Sequence, residues 1–205
     1  MKQVGWLILV LAAALLAACG GSTEEEVSDS DAGGRTTAQE AESTGGDSTA
    51  DSSETSDDGY KEITQQGFVF RWRIEEETLH VVLRHPTTGW LAVGFDPSRM
   101  MKDANMILGY VADGEVFVTD HFGVANTSHR PDTDIDGTDD IIYSEGSEGS
   151  EGTELRFAIP LDSGDAADRP LEPGGSYRVL LAHGPDGADD FRTYHGGRTG
   201  IDVTL

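Results

Sequence analysis

The sequence predicts an all-β domain, built as an antiparallel sandwich, in the carboxyl-terminal part of the chain. Three observations lead to this fold class. Short segments alternate apolar and polar side chains, turns rich in Gly, Pro and Asp separate them at intervals of roughly 8–15 residues, and no long stretch has the period of an amphipathic helix. Regular short strands of this kind are typical of two packed sheets.

The first strands are predicted from alternation and from the turns that end them. Residues 68–74 alternate large apolar side chains with Val and Arg, three glutamates then form a polar turn, and residues 79–83 alternate again. A Pro-Thr-Thr-Gly segment breaks the chain before a third strand at residues 90–95, which Asp-Pro closes. Residues 98–105 are expected to carry one helical turn.

The later strands depend on turn signals. Asp113 and Gly114 form a strong hairpin signal between strands at residues 106–111 and 115–119. The Gly/Ser/Glu segment at residues 146–152 is expected to be a surface loop. Further strands are predicted at residues 141–143, 154–159, 176–182 and 201–205. The expected architecture is an antiparallel, immunoglobulin-like β-sandwich of about nine to eleven strands.

Residues 1–18 have the pattern of a signal peptide. Lys2 supplies a positive charge, the apolar run at residues 4–16 is too short to cross a bilayer comfortably, and small residues lead to Cys19. Leu-Ala-Ala-Cys at residues 16–19 resembles a bacterial lipobox, in which the cysteine carries lipid and becomes the first mature residue. The alternative is an ordinary signal peptide with an incidental cysteine. Because Cys19 is the only cysteine, its lipidation excludes disulfides and cysteine catalysis.

Residues 19–59 are predicted to be a disordered acidic linker, since Ser, Thr, Gly, Ala and acidic residues without apolar periodicity cannot form a core. The linker would hold a folded domain, residues 60–205, away from a membrane. An alternative is an acidic tail that binds something basic. The expected localisation is a bacterial membrane outside the cytoplasm: the outer membrane, the periplasm or the cell surface. The net charge of −24 argues against a nucleic-acid partner.

The chain contains none of the common catalytic motifs, so no enzymatic activity is expected. The sequence Cys-x-x-Cys-His is also absent, which excludes a covalent c-type haem. What remains is a set of soft or imidazole ligands in predicted loops. They are Met100, Met101, His121, His129, His183 and His195.

An acidic segment has the spacing of the first half of a calcium loop. Asp132, Asp134 and Asp136 alternate and are followed by Gly137, so three carboxylates could converge on one cation. The twelfth position of that pattern is Tyr143 instead of the bidentate Glu of an EF-hand, and no helices flank the segment. An EF-hand is therefore excluded, and a looser calcium site and a solvated acidic loop stay open.

Several motifs, in order, resemble those of the DOMON family. They are GWLAVGF at residues 89–95, MKDAN followed by ILGYV at 101–111, DGEV at 113–116, FAIPLDSGD at 157–165, the strand from Tyr177 to Gly184, and Tyr194-His195. The resemblance spans nearly all of residues 65–205. It implies a β-sandwich in an extracytoplasmic setting that binds haem b or, in some members, sugars.

The resemblance also implies specific site residues. Haem-binding members hold the iron between a Met and a His, and the matching positions here are Met101 and His195. Thioether and imidazole ligands suit electron transfer with a redox partner protein. The alternative is a module that binds a carbohydrate or another small polar ligand, with His129, Arg130 and Tyr194 as candidate contacts.

Overall fold

The computed structural model describes residues 54–56 and 58–205. The predicted signal peptide, the lipidation site at Cys19 and most of the predicted linker lie outside the described residues. Within these ranges, no helix has both the length and the apolar character needed to cross a membrane.

Twelve strands make up the described part of the chain, together with one short 3-10 turn at Asp132–Asp134. In chain order they are β1 (Glu54–Thr55), β2 (Lys61–Gln65), β3 (Phe68–Glu75), β4 (Thr78–His85), β5 (Leu91–Phe95), β6 (Asn105–Ala112), β7 (Glu115–Ala125), β8 (Ser128–Pro131), β9 (Tyr143–Gly149), β10 (Gly152–Pro160), β11 (Ser176–His183) and β12 (Gly197–Thr204). The first sheet has the order β1-β2-β3-β4-β10-β9, and the second has the order β12-β11-β5-β6-β7-β8. Neighbouring strands pair antiparallel throughout, so the predicted all-β fold class is confirmed.

Turn chemistry explains the hairpins that the sequence signals. Between β6 and β7, Asp113 and Gly114 both have positive φ, at 51° and 79°, which is the backbone of a type I′ turn. Between β3 and β4, Glu76 also has positive φ, at 55°, within the predicted polar turn. These tight turns fix the register of each strand pair, and register decides which side chains enter the core.

Three local expectations differ from the structure. The Gly/Ser/Glu segment is not a loop, because β9 and β10 form a hairpin there. The strand expected at residues 141–143 is instead β9, which begins at Tyr143 and continues to Gly149. Its side chains are small or charged because β9 is an edge strand with mostly exposed positions. The helical turn expected at residues 98–105 is absent, and a pair of turns around an Arg99–Lys102 bridge replaces it. Finally, β2 and β8 were missed, since neither has apolar alternation.

The sheet also extends beyond the expected amino-terminal boundary at residue 60. The short strand β1 pairs with β2, with Thr55 opposite Lys61. Arg71 on β3 reaches back to this segment, with its Nη2 atom 2.7 Å from the Asp58 carboxylate. The first sheet therefore begins within the range that the sequence assigns to the linker.

The main core lies between the two sheets. It combines inward side chains from the first sheet with those from the second, and Trp72, Phe68, Phe70, Phe95 and Phe157 are among the largest that are fully enclosed. The alternation predicted for residues 68–74 is confirmed by the burial pattern of β3, in which the aromatic positions are buried and their neighbours are half-buried.

Candidate functional site

The second sheet is apolar on both faces. Its inner face supplies the core, but Ala92 on β5, Met106 and Leu108 on β6, and Ala182 on β11 form a second apolar cluster on the outer face. An antiparallel sheet commonly exposes one polar face to water, so an apolar outer face needs a cover or a ligand. Phe191 and Met101 pack against part of this cluster from the flanking loops.

Two adjoining cavities open on this outer face, with volumes of about 320 Å³ and about 280 Å³. We refer to them together as the cleft. The residues that line both cavities are Ala92, Met101, Met106, Ala182, His195 and Arg198. The first cavity continues past Gly94 and Gly200, and the second continues towards Tyr194 and His129. The small side chains in the floor leave room for a flat ligand to lie against the sheet.

Met101 is held at the cleft because the connection that carries it bonds to β7 and to the turn that follows β7. Its N–H donates to the Asn126 carbonyl at 3.3 Å, and its carbonyl accepts from the Ala104 N–H at 3.2 Å. The N–H of Asp103 donates to the Gly123 carbonyl at 2.7 Å, so the connection between β5 and β6 lies directly on β7. Met100 also lines the first cavity, but 46% of its surface is exposed.

His195 is held by the connection between β11 and β12. Asp190 organises this loop, because its Oδ1 atom accepts from the N–H groups of both Arg192 and Thr193 at 2.6 Å. The Thr193 carbonyl in turn accepts from the indole Nε1–H of Trp90 at 3.2 Å. The loop that carries His195 is therefore fastened to the buried indole at the start of β5.

The His195 imidazole is kept neutral. Burial and then the positive charge of Arg198 lower the pKa of His195. The Nη1 atom of Arg198 lies 3.4 Å from Nε2 of His195, and a guanidinium can only donate, so the Nε2 lone pair accepts from Arg198 and would bind a metal once that contact is released. A neutral imidazole with an unprotonated ring nitrogen is the form that binds metals.

Cationic side chains border the cleft in a chain of strongly negative net charge. Arg178 and Arg198 line the first cavity, and Arg192 lines the second. Arg178 is anchored by its Nη1 atom, 2.9 Å from the Asp202 carboxylate. Guanidinium groups bind carboxylates in a bidentate geometry, so this rim suits a ligand with anionic substituents.

A pair of histidines lies at the other end of the cleft. Nδ1 of His129 and Nδ1 of His121 are 2.9 Å apart. Burial lowers the pKa of both residues, that of His121 to about 4 with a further contribution from His129. Both rings are therefore neutral near pH 7, and one donates to the other.

The structure brings some of the sequence-predicted residues together and separates others. Met101 and His195 line the same cleft, and His129 and Tyr194 line its second cavity. Arg130 is exposed and instead donates to the Asp134 carbonyl at 3.0 Å. Of the predicted calcium-loop residues, Asp132 is fully buried, whereas Asp134 and Asp136 are exposed.

Sequence reasoning missed the floor and the cationic rim. The signal was present in β5 and β6, whose residues form nearly continuous apolar runs and are buried on both faces. Alternation in β11 likewise places Arg178, Leu180 and Ala182 on one face, and all three line the first cavity.

Comparison with known proteins identifies related domains. The sequence profile described as DOMON domain matches residues 64–184, more than half of the chain. The Drosophila melanogaster protein "MOXD1 homolog 2" is 26% identical over 141 residues, and mouse (Mus musculus) "DBH-like monooxygenase protein 1" is 28% identical over 125 residues. The matches cover 62% and 60% of this chain but span only 18% and 20% of those relatives.

Two solved structures are similar in fold. The cytochrome b domain of pyranose dehydrogenase from Coprinopsis cinerea superposes with a TM-score of 0.52 at 12% identity, covering 71% of this chain and 81% of that one. The cytochrome domain of Myriococcum thermophilum cellobiose dehydrogenase superposes with a TM-score of 0.51 at 12% identity, covering 74% and 86%.

Proposed function

The chain belongs to the DOMON domain family, and from this premise we propose that it binds haem b in the cleft, with Met101 and His195 as axial ligands, and transfers electrons. The observation that carries the proposal is that these two side chains, far apart in sequence, line the same two cavities. Both similar solved structures are cytochrome domains, which supports the choice of ligand class.

The residues of the cleft fit this group in three respects. A thioether and a neutral imidazole are a known axial pair for haem iron. The floor includes the small residues Ala92, Gly94 and Ala182 and is apolar, which suits a porphyrin face. Arg178 and Arg198 at the border can pair with propionate carboxylates. When bound, haem supplies reversible one-electron chemistry at a potential that methionine ligation raises.

The protein's own residues would orient and protect the ligand. Burial and the charge of Arg198 keep the His195 imidazole neutral, and the backbone hydrogen bonds of Met101 to Asn126 and Ala104 hold the segment that carries the thioether. Apolar side chains such as Met106 and Leu180 exclude water from the floor. Because the proposal assigns both iron ligands to side chains of the protein, we propose a binding and electron-transfer module rather than an enzyme.

We propose that the domain works outside the cytoplasm, attached to a membrane. The lipobox-like segment that ends at Cys19 supports a lipid anchor, and the acidic stretch between Cys19 and β1 would supply a tether of roughly 30 Å root-mean-square reach. An acidic domain on such a tether could approach a basic redox partner protein.

A visible absorption spectrum of the full chain, made in a haem-replete host, tests the haem proposal. We expect a Soret band and sharp reduced α and β bands. Met101→Leu and His195→Gln should each change the reduced spectrum and weaken haem retention. Met100→Leu should keep the reduced spectrum of the wild type, and His80→Gln, on β4 of the first sheet, should change neither the spectrum nor the retention. A colourless protein that takes up no haemin in titration would rule out haem binding.

A small polar ligand, such as a carbohydrate, is a second candidate for the second cavity. Tyr194 there is 75% exposed, and His129, Ser128 and Thr193 offer polar groups beside it. An exposed aromatic ring with nearby hydrogen-bonding groups suits stacking on a sugar. A protein that lacks haem but binds a sugar in calorimetry, with the affinity lost in Tyr194→Ala, would favour this second function.

A further inference from the structure

A group of acidic side chains lies on the side of the second sheet that faces away from the cleft. Asp120 on β7 is opposite the core residue Ile107 on β6, so it points between the sheets. One carboxylate oxygen from each of Asp120, Asp140 and Asp168 lies within 4.8 Å of the other two. These residues come from a strand and two separate loops, so the tertiary fold assembles the group.

Several buried oxygens in this group have no hydrogen-bond donor. Asp132 has no exposed surface, and neither of its carboxylate oxygens is hydrogen-bonded. Asp120 is 2% exposed and Asn105 is 5% exposed, and the Oδ1 atom of each is also without a partner. Burying an acceptor or a charge without a partner is costly, so native proteins normally satisfy such groups.

Positive side chains do not compensate this charge. Within residues 54–56 and 58–205, none of the ion pairs formed by Lys, Arg or His involves Asp120, Asp132, Asp140 or Asp168. Four uncharged donors reach these carboxylates. The Asp140 N–H donates to Asp120 at 3.2 Å and the Asn105 amide to Asp168 at 2.5 Å, while the hydroxyl groups of Ser163 and Thr138 donate to Asp168 and Asp140. These contacts leave the unpartnered oxygens free to bind a cation.

Asp132 lies beside this group, although the acidic-loop motif placed it with other residues and it is not one of the three carboxylates that meet within 4.8 Å. Gly137 allows this approach, since a Cβ there would lie 3.1 Å from the Asp132 Cβ and 2.9 Å from the Ala167 Cβ. The loop thereby folds Asp132 against the segment that carries Asp168.

We propose that Asp120, Asp140 and Asp168, with the amide oxygen of Asn105, form a binding site for a calcium ion, and that the buried carboxylate of Asp132 beside them adds negative charge to the site. The site is distinct from the cleft, because Asn105 and Asp120 face inward from the sheet whose outer face forms the cleft floor. The ion would connect β6 and β7 to the loops before β9 and before β11.

The ligand chemistry favours calcium over other metals. All of the proposed ligands are hard carboxylate or amide oxygens, whereas zinc and copper sites normally include imidazole nitrogen or thiolate sulfur. Calcium accepts six to eight oxygens in flexible geometry, which suits ligands from a strand and two loops. Magnesium requires near-ideal octahedral geometry and retains several waters, so a crowded, largely buried carboxylate group suits it less.

Calorimetric titration of CaCl₂ into the chelator-treated full chain tests the proposal. We expect one calcium ion per chain, with affinity weakened by about tenfold or more in Asp132→Asn and in the half-buried variant Asp140→Asn. The matched control is Asp134→Asn, which changes an exposed aspartate of the same loop and should bind calcium normally. The absence of calcium binding, or binding lost in Asp134→Asn but kept in Asp132→Asn, would overturn the site.

Thermal unfolding supplies an independent readout. In excess calcium the wild-type chain should unfold at a higher temperature than Asp132→Asn, because binding to the native state alone stabilises it. With the chelator present, Asp132→Asn should unfold at the same temperature as the wild type or at a higher one, since the variant removes an uncompensated buried charge. A variant that is less stable than wild type under both conditions would contradict the proposal, as would tighter binding of Mg²⁺ or Zn²⁺ than of Ca²⁺.

Discussion

Gly123 on β7 lies so close to the backbone of Met101 that a Cβ atom at position 123 would overlap the Met101 carbonyl oxygen. The neighbouring hydrogen bonds, from Asp103 to Gly123 at 2.7 Å and from Gly123 to Ala104 at 2.9 Å, hold the two segments together. Because Gly123 has no side chain, the connection that carries Met101, the proposed haem ligand, can lie directly against β7.

Gly123→Ala should displace the connection that carries Met101. We expect a loss of about 1–3 kcal/mol in the free energy of unfolding, because the methyl group has no space. Amide hydrogen exchange at Asp103 and Ala104 should also become faster. The control is Gly149→Ala, where a Cβ meets nothing within 4 Å and stability should stay within about 0.5 kcal/mol. Equal urea midpoints for the two variants would contradict this account.

Trp90→Phe should loosen the loop that carries His195. It removes the hydrogen bond from the indole to the Thr193 carbonyl, worth about 1 kcal/mol. Trp72 provides a matched comparison, because its buried Nε1–H has no hydrogen-bond partner. Trp72→Phe should therefore leave hydrogen exchange in residues 193–196 unchanged while Trp90→Phe accelerates it. Equal acceleration in both variants would show that the indole bond does not hold the loop.

His85 should make the protein less stable in mild acid. Its ring stacks on His183 at 3.9 Å between centroids and packs on Phe68, and burial followed by the His183 charge lowers the pKa of His85 below 6.5. Asp186 and the Gln66 backbone act in the opposite direction but do not reverse the shift. Unfolding therefore takes up a proton as pH falls, so this contribution to stability is complete above about pH 6.5 and decreases below it.

The test compares urea unfolding midpoints of wild type and His85→Gln between about pH 7.5 and pH 5.5. The difference between the two proteins should shrink as pH falls, because the variant has no ring to protonate. His80→Gln is the matched control, because it removes a histidine from the same strand that does not stack on another histidine. The His80 ring lies instead 3.6 Å from the Glu75 carboxylate, so this variant should not reproduce the narrowing expected for His85→Gln. A constant difference across this range would exclude the proposed role of His85.

Phe157→Ala should be among the most destabilising single changes in the core. The side chain is 2% exposed on β10, and its removal should lower the free energy of unfolding by about 3–5 kcal/mol. Phe117 on β7 is 39% exposed, so Phe117→Ala should cost below about 1 kcal/mol. Similar losses for both would mean that the two sheets do not share the core described here.

Local sequence patterns predicted most strands of the two sheets but did not predict the edge strand β9. Alternation identified β3 and β4, and the positive φ angles at Asp113 and Gly114 match the predicted hairpin. Edge strand β9 was mistaken for a loop because its exposed Gly, Ser and Glu side chains show no apolar face. Its backbone pairing with β10 depends on a neighbour that local composition does not reveal.

The site shows the same division. Met101 and His195 were expected from the resemblance, and the structure brings both to one cleft. The regular spacing of Asp132, Asp134 and Asp136 proved a poor guide to position, because the chain turns after Asp132 and leaves the other two exposed. The acidic group that does converge takes its members from distant segments.

By itself, the sequence determined that this protein has an all-β domain, because side-chain alternation and turn residues report the period of each strand locally. Only the tertiary structure decided which strands are neighbours, that the outer face of the second sheet is an apolar floor, and that three aspartates from separate segments meet on its other side. Those features arise from contacts between segments far apart in the chain. Local side-chain patterns do not report such contacts, because the burial and the charge around each side chain depend on which distant segments pack against it.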